Sequence, residues 1–155
     1  MALKADRYEL QTDISFFMNT AGNRGGVVSM STGGTGAAMD QSGALAVYAS
    51  DPSGKMPLGI LLNDVVDIDL TRQHLNEHKD EVIKGGKITI LRKGYVVTNM
   101  IKSGVDPVAG DPVHVAANGE LDKEDAIGGC EPIGNFLSAK DADGYCKVEI
   151  NLPRA

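Results

Sequence analysis

His74-Leu75-Asn76-Glu77-His78 has the spacing H-x-x-E-H, the inverted zinc-protease pattern. On a helix, His74 and His78 stand four residues apart on one face. Both imidazoles then reach one metal ion while Glu77 serves as general base. A catalytic zinc also needs a third protein ligand and an open coordination position, and no companion motif supplies that ligand. The helix that would carry the motif spans residues 71–83 and is closed by Gly85-Gly86, whose freedom ends helices. A small zinc metallohydrolase is the enzymatic reading of this segment. A solvated or subunit-facing His/Glu surface is the plain one.

Other chemistry-bearing residues fall short of a site. Gly33-Gly34-Thr35-Gly36 lacks the G-x-x-x-x-G-K-[ST] pattern of a phosphate loop and reads as a flexible linker. Asp141, Asp143 and Gly144 open like a calcium loop, but the further acidic ligand and the closing Glu are missing at the required spacing. Turn chemistry accounts for them, because Asp tolerates tight turns and Gly supplies positive φ. Cys130 and His114 form a nucleophile–base pair only if the fold joins them, and their spacing does not. Lys84, Lys87, Arg92 and Lys93 read as a solvated hairpin edge that discourages strand pairing. These residues do not assemble into an active site. The reading is a protein without catalysis and without a cofactor.

The elements that position these residues are mainly strands. Pro57-Leu58-Gly59-Ile60-Leu61-Leu62 returns as Pro132-Ile133-Gly134-Asn135-Phe136-Leu137, an offset of 132 minus 57, or 75 residues. Proline gives up a ladder hydrogen bond and suits a strand's first position, and the glycine two places on admits another backbone at close range. Two similar β-units in one barrel or sandwich follow from that repeat. Strands are expected at 45–48, 58–62, 66–70, 87–91, 95–99, 113–115 and 146–152. Arg92-Lys93-Gly94 is read as a hairpin turn between two of them, and Asp141-Ala142-Asp143-Gly144 as another. Residues 122–126 suit one helical turn. Alternation places Cys146 with Val148, Ile150 and Leu152 on the apolar face, where a free cysteine packs as a small hydrophobe.

Residues 1–43 differ from the rest. Seven of the nineteen glycines lie between Ala21 and Gly43, and two of the three phenylalanines, Phe16 and Phe17, sit where no local core is evident. Such a segment has high backbone entropy and little to bury. It reads as an extended arm that becomes ordered against something else, with residues 44–155 as a single β-rich body. The fold class is therefore all-β: a compact β-barrel or β-sandwich-like body with one short helix and an extended N-terminal arm.

Composition bounds the partners. The chain has 155 residues, a net charge of -6, no Trp and 5% aromatics, so Val, Ile, Leu, Ala and Met must build the core. An acidic surface does not suit a partner held by its phosphates. The two cysteines are too few for a disulfide framework. No secretory signal or bilayer-spanning run is visible, which gives the expectation of a soluble protein made in the cytoplasm, with neither nucleic acid nor membrane as partner. The acidic alternation at 66–70 and the stripe-free segment 74–78 are expected at a subunit boundary.

Several stretches resemble the capsid decoration (cement, head-stabilising) proteins of tailed bacteriophages. They are residues 2–10, Val27-Val28-Ser29-Met30-Ser31-Thr32-Gly33-Gly34, the run from Leu61-Leu62-Asn63-Asp64-Val65 through Asp69 to His74, and 134–145. The resemblance implies a small β-rich module, often trimeric, that sits on the outer capsid surface of the virion and clamps major capsid protein subunits. Arg7, Tyr8, Ile14, Phe16 and Phe17 of the arm are the expected capsid-binding residues, with strand addition and buried aromatic anchors as the mode. A glycan- or receptor-binding β-module is the remaining alternative.

Overall fold

The computed structural model describes residues 3–31, 45–62, 81–82, 84–125 and 128–152. Twelve strands run in chain order: β1 Leu3–Asp13, β2 Phe17–Met18, β3 Gly22–Asn23, β4 Val27–Met30, β5 Leu45–Val47 and β6 Pro57–Leu61, then β7 Glu81–Val82, β8 Ile90–Thr98, β9 Pro112–Val115, β10 Leu121–Asp122, β11 Gly134–Phe136 and β12 Cys146–Asn151. One 3₁₀ turn, Ala117–Gly119, is the helical element among the described residues. The expected helix over 71–83, with His74, Glu77 and His78, and the strand at 66–70 lie outside them.

Ten strands form one sheet in the order β10-β9-β11-β12-β8-β6-β4-β5-β2, with β1 added on β8; β3 and β7 form a separate pair. Every strand pair is antiparallel except β2 with β5. The mainly β fold expected from the sequence is the fold observed. Among the described residues the sheet stays open, although a parallel bridge between Ile101 and Leu121 ties β10 to the chain just beyond β8.

The repeated proline–glycine pattern has a common structural use. Pro57 opens β6, and Pro132 lies just ahead of β11. A Cβ on Gly59 would sit 2.1 Å from the Leu91 carbonyl oxygen, and one on Gly134 would sit 1.8 Å from that of Glu149. In both copies the missing side chain lets the neighbouring strand close in. β6 pairs with both β4 and β8, and β11 with both β9 and β12. Each copy thus occupies the middle of a three-strand unit.

β8 joins the two units. It pairs with β12 from Lys93 to Thr98 and with β6 at Ile90 and Leu91. The larger core cluster includes Phe136, Val96, Val148 and Leu121; the smaller includes Met18, Val28, Leu58 and Ile88. Phe136 is fully buried, and burial of such a side chain stabilises by roughly 1.5–3 kcal/mol. Cys146, Val148, Ile150 and Leu152 are buried, as their alternation requires.

Two local readings are corrected. Arg92-Lys93-Gly94 is no hairpin turn: β8 runs straight through it, paired with β1 on one edge and with β12 on the other. A lone Gly without Asn or Asp is a weak turn signal, and two strand partners outweigh it. Asp122 begins the segment 122–126 expected to be a helical turn, yet together with Leu121 it forms β10 against His114 and Val115, because both residues are buried there.

Residues 3–31 of the segment read as an arm lie on strands of the same chain. β1 is on β8, Phe17 of β2 faces Leu45 of β5, and β4 lies between β5 and β6. Val27 and Val28 enter the two core clusters, which supplies burial that the local composition does not show. The boundary at 43/44 falls outside the described residues.

Candidate docking surface

β1 is eleven residues long and pairs with β8 from Leu3↔Thr98 to Asp13↔Ile90, with three register shifts on the way. Among the described residues β8 is its only strand partner. Among the described residues its second edge carries a row of N–H and C=O groups without a strand against them. Such an edge accepts an added strand.

Side chains on and just after β1 add to this edge. Tyr8, Leu10 and Ile14 are 55%, 65% and 52% exposed, and Leu10 stands at the register shift between Glu9 and Gln11, unpaired with β8. The Tyr8 ring stacks on Tyr95 of β8, with centroids 6.0 Å apart. Lys147 Nζ lies 3.9 Å from the Tyr95 ring centroid and Lys4 Nζ 4.2 Å from that of Tyr145. Arg7 Nε donates to Glu9 at 2.7 Å, while Lys4 and Lys147 stand 3.7 Å and 3.9 Å from Asp141 and Asp6. The surface is a shallow aromatic and aliphatic ledge rimmed by paired charges of both signs.

The five residues named from the sequence thus divide. Tyr8 and Ile14 face solvent, and Arg7 is half-buried and engaged by Glu9. Phe16 packs on the smaller core cluster. Phe17 is half-buried, with Lys87 Nζ 5.9 Å from its ring centroid. Leu10 was missed, although its place two residues after Tyr8 in an extended segment was the available signal.

The catalytic candidates acquire definite surroundings. His114 and Cys130 do come together, but His114 Nδ1 lies 2.8 Å from the Cys130 carbonyl oxygen, not from its sulfur. The Cys130 thiol is pushed up first by burial and then by the charges of Asp125 and Asp51, the opposite of what activates a nucleophile. The Asp141 carboxylate accepts from the Tyr145 and Asp143 N–H groups at 2.8 and 3.0 Å. That is turn chemistry between β11 and β12, and those bonds, Tyr145 first, hold the carboxyl below its usual range. Among the described residues no cluster of three His, Cys, Asp or Glu residues is placed to hold a metal. No helix among them is long and apolar enough to cross a membrane.

A search of curated proteins returned no match. A family model described as "Structural cement protein (E217 gp24/Pam3 gp6)" matches residues 7–151, from the centre of β1 to the end of β12. The chain belongs to the structural cement protein family of phage capsids.

Proposed function

We propose that the protein binds the outer surface of an assembled phage capsid and bridges neighbouring major capsid protein subunits, with β1 as its docking strand. The observation that carries this reading is the edge of β1: unpartnered among the described residues, and bearing Tyr8 and Leu10 in the open, with exposed Ile14 just beyond its end. A strand of a capsid subunit laid along it would satisfy the free backbone groups. Covering the exposed half of the three side chains would contribute roughly 1–2 kcal/mol each, less the cost of association. Arg7 stays paired to Glu9 and sets the register, while Phe16 and Phe17 fix the end of β1 to the body.

Stabilisation of the capsid needs no reaction. A ligand that binds the assembled shell but not its dissociated subunits shifts the equilibrium toward assembly, and many copies multiply a modest free energy per site. A homotrimer is the assembly the family resemblance favours, and light scattering at micromolar concentration tests it: a monomer alone would remove that part of the proposal. Co-sedimentation with expanded and with immature heads tests the binding itself. The protein is expected in the pellet with expanded heads only. Equal pelleting with both, or with neither, contradicts the reading.

A further inference from the structure

β8 changes partner at a single residue. Its pairing with β12 ends at Lys93 and its pairing with β6 begins at Leu91, so Arg92 lies in the gap where the two units part. A cavity of about 300 Å³ opens there, walled by Met56 and Pro57 from the entry of β6, Val115 from the end of β9, and Ile133 and Leu152. Lys55 and Glu131 also line it. The Arg92 Nε is buried and has no hydrogen-bond partner among the described residues. A buried guanidinium N–H that meets no acceptor among the described residues is costly, and a partner that provides one recovers that cost.

We propose that this cavity is a second docking site, which takes an apolar side chain carried next to a carboxylate on a partner protein. The apolar walls select a hydrophobic side chain over a hydrated inorganic anion. Arg92 and Lys55 supply the positive charge that a carboxylate requires. The rim at Cys130 is acidic, with Glu131 in the wall and the charges of Asp51 and Asp125 felt at the thiol. The two signs of charge orient the occupant, with its acidic group toward Arg92. The site is separate from β1 and does not depend on the capsid reading.

N-acetyl-leucine and its neutral amide are the probes, titrated into the isotope-labelled full chain and followed by NMR. The acid is expected to shift the Arg92 Nε–H and the signals of Met56, Val115, Ile133 and Leu152, with the amide about tenfold weaker for want of the charge-assisted bond. Arg92→Gln should erase the preference for the acid, and Met56→Trp, placed at a half-exposed wall, should block both probes while the rest of the spectrum is unchanged. Should Arg92→Gln disturb the fold, Lys55→Ala and Met56→Trp carry the test. Equal affinity of acid and amide, or shifts that map to β1 or elsewhere, overturns the proposal.

Discussion

Gly94 and Tyr8 approach so closely that a Cβ on Gly94 would sit 1.9 Å from the Tyr8 carbonyl oxygen. Gly94 also holds φ at +139°, where side chains are strained. β1 thus owes its close place on β8 to one missing side chain. Gly94→Ala should cost at least about 1–3 kcal/mol from backbone strain, with the steric clash in addition. Hydrogen exchange should show lost protection in residues 3–13 while the β11–β12 pair keeps its own. Unchanged protection of β1 would show that the contact is not needed.

Leu10 tests the surface without touching the core. It is 65% exposed, so Leu10→Asp should alter stability by no more than about 0.5 kcal/mol. With β1 docked as proposed, a charge there is buried against the capsid, and affinity for expanded heads should fall about tenfold or more. Titrated co-sedimentation with a parallel thermal melt separates the two effects.

Tyr48 shows why the first glycines of the glycine-rich tract, Gly22 and Gly26, take a fixed place. Its side chain fills a slot in which a Cβ on Gly22 or Gly119 would come within 2.7 or 2.9 Å of the ring, and one on Gly26 within 2.7 Å of the hydroxyl oxygen. Its hydroxyl donates to the Asn23 carbonyl, and burial pushes the phenol well above its usual range despite the backbone bond to Gly26. Tyr48→Phe should cost about 1–3 kcal/mol, the net worth of the two hydrogen bonds the hydroxyl makes. Gly26→Ala should cost more, because the slot has no room for a methyl group. Denaturant melts of the two variants give both values.

How far the sequence could be read follows from these contacts. The proline–glycine repeat, the Cys146 face and the Asp141 turn are local patterns, and local spacing was enough to find them. β1 on β8 was not legible, because the pairing joins residues about ninety positions apart through backbone groups that any sequence possesses. The glycines near Ala21 look like a linker until Tyr48 is placed among them. Arg92-Lys93-Gly94 looks like a turn until strands are known to lie on both sides of it.

The Lys102–Asp122 pair makes a pH prediction. Lys102 Nζ donates to the buried Asp122 carboxylate at 2.8 Å, which fastens the chain after β8 to β10. Burial alone would raise the Asp122 carboxyl, but the Lys102 hydrogen bond and the Glu124 N–H outweigh it, and the net shift is downward from 3.8. Its contribution is therefore present above that value and lost as pH falls through the lower folded value. Lys102 is raised above 10.5, chiefly by its hydrogen bond to Asp122, so its contribution is complete below that pH and lost as pH rises beyond it. Stability should drop below about pH 4 and above about pH 10.5. Asp122→Asn should flatten both limbs in urea melts across that range.

The most direct test is the calorimetric melting of expanded capsids that lack this protein, with the wild-type chain or Leu10→Asp/Ile14→Asp added back. The wild type should raise the melting temperature of the shell, and the double variant, folded by its own melt, should leave it where the bare shell melts. A double variant that protects as well as the wild type would contradict docking through β1.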